Sequence, residues 1–405
     1  MKHRNLIHGL LIALLIAFSF STVIAQEANL LDTCVADFDA EVDYFPEKVE
    51  VTQSTGWSVE YFNNYKVVTV NRPWANAAET DAAQYVLVQC GTPAPEGYDD
   101  LPMIEVPTGR VIALSTTYLP HLVQLGLVDH LIGLDSFLYV NSAEVAGKID
   151  SGELIEVGNG SSINVEMVLD AEPEVVFAYG SGFPEYDAHP ALIESGVFVA
   201  LNGDLAETSP LGRAEWIKFT ALFFNAEAEA TALFDEEVTA YEDLAALTAD
   251  IPATERPLVL WDAFSGYDEA WFVPGAQSYS GQLLRDAGVN NVLNDAPEVQ
   301  DVTGSVSFAF EAVYAAGLDA DIWLANQFGI TTLDDLRAVD ERYGDLGPFT
   351  TGNVYNNDAR VNVNGGNDIY ETGVTSPHLI LADIIKILYP DLLPDYELFF
   401  YRLME

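Results

Sequence analysis

The sequence is short of positive charge. Sixteen Lys and Arg stand against 63 Asp and Glu, for a formal net charge of −47. A surface of that sign repels nucleic acid and anionic lipid headgroups, which excludes both as partners. It suits a cationic ligand or partner surface, and equally a general adaptation to solubility or salt. Cysteine is almost absent, with Cys34 and Cys90 alone. Motifs of chemistry are missing as well. There is no G-x-S-x-G, because Gly180-Ser181-Gly182 lacks the spacing of a nucleophile elbow, and no G-x-x-x-x-G-K-[ST] to cradle a phosphate. H-E-x-x-H and C-x-x-C are absent too. Beyond residue 25 the histidines are His121, His130, His189 and His378, one per distant segment, so no metal site is read from them. The chain therefore reads as a binding protein without catalytic residues and without a covalently bound cofactor. After residue 25 no apolar run reaches membrane-spanning length.

What is present is enough apolar material for two cores: 405 residues, 49% hydrophobic, 11% aromatic. Residues 1–25 read as a secretory signal. Lys2, His3 and Arg4 precede an apolar run, and Val23-Ile24-Ala25 offers a small-residue cleavage site that starts the mature chain at Gln26. An uncleaved anchor is the competing reading, weakened by His8, Ser19, Ser21 and Thr22 within the run. Cleavage makes the mature chain two units more negative and implies an extracytoplasmic location. An oxidising compartment allows Cys34 and Cys90 to pair, stapling the N-terminal segment. Leu31-Asp32-Thr33 before Cys34 is not a lipoprotein-type site.

The spacing of apolar residues divides the mature chain in four. Residues 26–107 form a β-rich extension and linker. Val49-Glu50-Val51, Trp57-Ser58-Val59-Glu60-Tyr61, Lys66-Val67-Val68-Thr69-Val70 and Tyr85-Val86-Leu87-Val88 read as strands, and the proline-rich stretch 91–107 as linker. Residues 108–211 alternate short strands (111–114, 131–134, 174–178, 197–201) with helices, including one at 163–170 capped by Ser162. Residues 252–405 repeat the alternation. Strands are expected at 258–261, 291–293 and 321–325, and helices at 279–287, 305–316, 332–340, 377–388 and 396–403. Such alternation predicts an α/β fold with a mostly parallel sheet in each of two Rossmann-like lobes. Between them, 212–251 has no proline, and Trp216, Phe219, Phe223, Leu233, Phe234, Val238, Tyr241 and Leu244 form one stripe. The expectation is one continuous linking helix of about 38 residues and roughly 57 Å. Two helices with a kink near Asn225 are the alternative.

Ligands of open α/β sheets sit outside the carboxyl ends of the strands. Those positions and neighbouring loops nominate Thr116, Tyr118, Tyr139, Tyr179, Trp261, Trp271, Tyr279, Asn326 and Tyr355, with Trp216 from the linking segment. Arg213 and Arg360 are nominated as cations able to hold a carboxylate or catecholate. For the aromatics, ordinary packing competes with this reading; for the arginines, a surface ion pair does. The segments opening at Ser162 and Ser307 echo each other, each placing a glutamate, Glu166 or Glu311, early in a helix.

Arg110-Val-Ile-Ala-Leu-Ser-Thr-Thr117, Leu125-Gly126-Leu-Val-Asp-His-Leu-Ile-Gly-Leu-Asp135, Asn164-Val165-Glu166 with Ala171-Glu-Pro-Glu-Val-Val-Phe-Ala178, and the stretch Pro-His-Leu-Ile-Leu-Ala-Asp at 377–383 resemble the ABC importer binding proteins for ferric siderophores and cobalamin. The resemblance covers about 108–405. It implies two lobes on a rigid linking helix, a metal chelate such as a ferric siderophore captured between them, and no enzymatic role. It also implies a monomer delivering its small-molecule ligand to importer membrane subunits through Glu166 and Glu311. Cobalamin or haem in the same fold, or an exported receptor without an importer, remain open. The 26–107 segment departs from the minimal pattern.

Overall fold

The computed structural model describes residues 26 and 28–405, so the expected signal segment lies outside the described residues. Four strands make the N-terminal sheet: β1 (Trp57–Tyr61), β2 (Tyr65–Val70), β3 (Ala83–Gln89) and β4 (Met103–Val106), in that order across the sheet. Strand β4 lies inside the stretch expected to be linker. Pro102 and Pro107 bracket it, and it pairs in parallel with β3. Val49-Glu50-Val51 forms no strand. Instead the chain just after it, at Thr52, Gln53 and Ser54, donates its N–H groups to the buried carboxylate of Glu215 at 2.7–2.8 Å. Trp57, Val68, Val70, Tyr85, Leu87 and Val106 share one apolar cluster with Val111, Trp216, Phe219 and Phe223. The extension is thus continuous with the core that follows it, and the Cys34–Cys90 disulfide ties its first residues to the end of β3.

The first lobe is a parallel sheet of β5 (Val111–Ala113), β6 (Leu131–Leu134), β7 (Ile155–Glu156), β8 (Val175–Ala178) and β9 (Val199–Leu201). Its order is β7-β6-β5-β8-β9, the doubly wound arrangement whose direction reverses between β5 and β8. The second lobe contains β10 (Leu258–Trp261), β11 (Phe264–Ser265), β12 (Ala270–Pro274), β13 (Asn290–Asn291), β14 (Ser305–Phe308), β15 (Ile322–Leu324), β16 (Val354–Asn356) and β17 (Arg402–Leu403). Its main sheet runs β13-β10-β15-β16-β17, with reversal between β10 and β15; β11, β12 and β14 form a small antiparallel sheet beside it. The expected α/β class with two mostly parallel sheets is the fold observed, with β17 at the edge of the second sheet running antiparallel to β16.

Three helix expectations are corrected. The helix after residue 162 is Val165–Asp170, and its cap is Asn164, whose side chain accepts from the Met167 N–H at 3.1 Å. Residues 305–308 are β14, pairing with β12, and the helix begins only at Phe310. The stretch 396–403 is not helical. Asp383, fully buried, takes the N–H groups of Phe399, Phe400 and Tyr401 at 2.6–2.9 Å, and the chain then enters β17.

The linking segment is broken rather than continuous. Short helices at Pro210–Ala214 and Trp216–Ala221 precede the helix Glu227–Ala246. Asn225 carries a positive φ of 56°, a backbone conformation asparagine tolerates better than most residues. Its side chain is held on three sides: Nδ2 donates to Leu30 O and Gln89 Oε1 at 2.8 Å each, and Oδ1 accepts from Lys66 Nζ at 2.9 Å. Lys66 also donates to Leu222 O, and Thr108 to Phe223 O, so the carbonyls freed by the break are satisfied by the extension and its linker. The remaining helix, Glu227–Ala246, rises about 30 Å over its 20 residues. Ala230 near its start belongs to the first lobe's core, and Tyr241 near its end to the second's. The linking role therefore rests on this shorter helix.

Candidate functional site

Both sheets point the C-terminal ends of their strands at the space between the lobes. A cleft of about 610 Å³ lies there, lined from the first lobe by Thr116 and Tyr139 and from the second by Asn326, Gln327, Phe328, Asn357, Asp358 and Tyr370 among others. Its position follows from topology: Thr116 stands just after β5 and Asn326 just after β15, each strand flanking its sheet's reversal point. Asn326 has a positive φ of 47°, and its Oδ1 accepts from the buried Tyr401 hydroxyl at 2.9 Å.

One side of the cleft is closed by an Asn- and Gly-rich loop. Asn362 Oδ1 accepts from the N–H groups of Asn364 and Gly366, while its Nδ2 donates to Leu138 O and Val140 O of the first lobe at 3.0 Å each. At Gly366 a Cβ would collide with the Tyr139 backbone, so the crossing requires glycine. Beside it, the carboxylate of Glu371 takes the Asn141 and Ser142 N–H groups at 2.7 and 2.8 Å. Gln124 donates to Thr375 across the same seam.

Behind the cleft lies a polar layer. Arg213 donates through Nε to Asp204 Oδ2 at 2.9 Å, and its guanidinium faces the Tyr279 ring. Burial pushes the Tyr279 phenol up to about 12, although Arg213 pulls the other way. Tyr118 is fully buried and its hydroxyl has no hydrogen-bond partner; burial raises it, and Asp204, Tyr179 and Asp135 add to the effect. Asp135 directly follows β6 and Asp262 directly follows β10. Burial lifts each carboxyl to about 6. The β2–β3 connection of the extension reaches this rim as well. Trp74 packs against Gly180 and Gly182, where a Cβ would strike its ring, and stacks on His189. The extension thereby supports the loop carrying Tyr179.

Of the nominated residues, Thr116, Tyr139 and Asn326 line the cleft, and Tyr118, Tyr179, Arg213 and Tyr279 form the layer behind it. Trp261 and Tyr355 are half-buried at strand ends of the second sheet. Trp216 and Trp271 belong to the cores. Neither has exposed surface, and their indole N–H groups donate to Glu207 at 3.1 Å and to Trp261 O at 2.9 Å. Arg360 lies outside the main cleft, in a neighbouring depression, paired with Asp368 at 2.6 Å. Glu166 and Glu311 are exposed, one on each lobe; Glu311 shares Arg342 with Asp340. Sequence reasoning missed Asp135, Asp204, Asp262, Asp358, Tyr370 and Arg402. For Asp135 and Asp262 the available signal was an aspartate immediately after a buried strand.

Known proteins share this architecture. Two uncharacterized lipoproteins of Methanocaldococcus jannaschii are each 24% identical to the chain, one over 305 residues (72% of this chain, 68% of the relative) and one over 324 (78% of each). Among solved structures, a possible iron-binding, periplasmic solute-binding protein of Staphylococcus epidermidis matches with a TM-score of 0.54 at 16% identity, covering 70% of this chain and 99% of that one. A periplasmic heme-binding protein of a Roseiflexus species gives 0.53 at 20% identity, with the same coverage. The molybdate-binding protein of a Haemophilus influenzae ABC transporter gives 0.53 at 17%, covering 72% and 89%. The sequence model of the periplasmic binding protein family matches residues 111–337, more than half of the chain. With both switch-point sheets facing one cleft, the chain belongs to the periplasmic binding protein family.

Proposed function

We propose that this protein is the extracytoplasmic solute-binding component of an ABC importer, that it captures a ferric siderophore or related metal chelate, and that it works as a monomer. The observation that carries the reading is the cleft of about 610 Å³ between the two strand-end surfaces. That volume suits a mid-sized organic ligand, and a wall of aromatic rings and side-chain amides suits a chelate with an apolar periphery. Fold neighbours described as iron-binding and heme-binding are consistent with a metal-bearing ligand. Glu166 and Glu311, exposed on opposite lobes, are the proposed docking points for arginines of the membrane subunits. Native mass spectrometry with an absorbance spectrum, run on wild type and on the Glu166→Arg, Glu311→Arg double variant, tests the ligand; an uptake assay on the same pair tests the docking. The expected result is the same ferric chelate on both proteins and uptake lost in the double variant only. A corrin or porphyrin spectrum would replace the siderophore reading. Unimpaired uptake would remove the docking role.

A further inference from the structure

The charges around the cleft are not those of an anion receptor. Three guanidiniums stand in or beside it, and each is already matched by an aspartate: Arg213 by Asp204 at 2.9 Å, Arg402 by Asp358 at 2.7 Å, and Arg360 by Asp368 at 2.6 Å. Asp135 and Asp262 lie in the polar layer behind the cleft and Glu371 in the seam beside it, with no cationic partner among the described residues. The cleft region is therefore net negative even after its ion pairs are formed.

A second, independent observation points the same way. Asp204 is fully buried, and its Oδ1 makes no hydrogen bond; nor do Asp135 Oδ1 and Asp358 Oδ1. Asp358 lines the cleft itself. Buried carboxylate oxygens left without donors are costly unless a donor arrives. Of the three, Asp358 stands where a ligand bearing N–H or ammonium groups can supply the donor, whereas an anionic ligand brings more acceptors; Asp204 and Asp135 lie behind the lining and contribute negative charge. The long-range field of a chain with net charge −47 adds to the discrimination by repelling anions on approach.

Resting on the reading of the cleft as a chelate site, we propose that it selects metal chelates of positive or zero net charge, of the hydroxamate class with free amine or amide donors, and rejects polyanionic catecholates. Arg213, nominated from sequence as a catecholate holder, acts instead as the counter-ion that keeps Asp204 in place.

Three probes of one coordination number decide this by calorimetry or tryptophan quenching: a monocationic ferric trihydroxamate with a free amine, its N-acetylated neutral form, and a trianionic ferric tris-catecholate. Cation binding on the order of tenfold tighter than neutral, with the trianion weakest, is expected, and the gap should shrink with added salt. Asp135→Asn and Asp262→Asn, made singly and checked by circular dichroism, should each cut the cation-to-neutral ratio several-fold. A trianion that binds as well as the cation overturns the charge selection and leaves the chelate reading standing. Failure of all three probes to bind removes the chelate reading, and this inference with it.

Discussion

Asp262 holds a carboxylate where the fold would rather have a neutral group. It occupies a positive φ of 61° directly after β10, accepts from the Ala263 N–H at 2.8 Å and from Gln327 Nε2 at 3.2 Å, and is lifted by burial from 3.8 to about 6. A carboxyl whose folded value is raised binds its proton more tightly in the folded state. Its contribution to stability is then greatest below about pH 4 and declines as pH rises through about 6. An asparagine side chain at this position would suit the left-handed backbone and carry no charge. Asp262→Asn should therefore raise stability by on the order of 1–2 kcal/mol at pH 7.5, and the gain should vanish near pH 4. Thermal melts at the two pH values check this, and an equal shift at both would contradict it. Acids such as this one were hard to single out from the sequence, because 63 of them share the chain and most are solvated. The aromatics misled for a different reason. Trp216 and Trp271 sit near strand or helix ends as expected, but which face an indole takes depends on the partner it meets in the fold, here Glu207 and Trp261.

The linking segment shows how an element can be legible in pattern and wrong in detail. Its apolar stripe correctly marks a stretch that serves both lobes, and the helix Glu227–Ala246 does so. The break at 222–226 was legible only as the alternative kink near Asn225 and not as the preferred reading, since its determinants are Lys66, Gln89 and Thr108, all more than a hundred residues away. Lys66 anchors it. Fully buried over the Phe45 ring, its ammonium reaches Glu227 at 2.6 Å as well as Asn225 and Leu222 O. Removing one partner of such a pair leaves a buried charge without a mate. Lys66→Met should cost about 3–5 kcal/mol in denaturant unfolding, and adding Glu227→Gln should recover a good part of it. A single variant within experimental error of wild type would show that the extension does not stabilise the break. The alternating strands were readable because buried parallel strands are short apolar runs. Strands β4 and β14 were not, since each is an edge strand specified by its pairing with β3 or β12 rather than by its own pattern.

For the molecule as a whole, sequence alternation indicated the two lobes, and topology then located the cleft at their reversal points. The extension was readable as a β-rich accessory of the first lobe, but the residues it packs on were not, because Trp216, Phe219 and Phe223 come far later in the chain. The lobes meet through Asn362, Glu371 and Gln124 on one side and through the Glu227–Ala246 helix on the other, which favours a largely pre-formed cleft over wide hinge motion. The central claim is that the ligand binds between the lobes and touches both. Amide hydrogen exchange of the whole mature protein, with and without a ferric trihydroxamate, measures that directly. Ligand-dependent protection is predicted at 116–118 and 137–142 in the first lobe together with 326–331 and 357–370 in the second. Protection confined to one lobe, or found instead in the groove formed by residues 28–32 and 224–229, would contradict it.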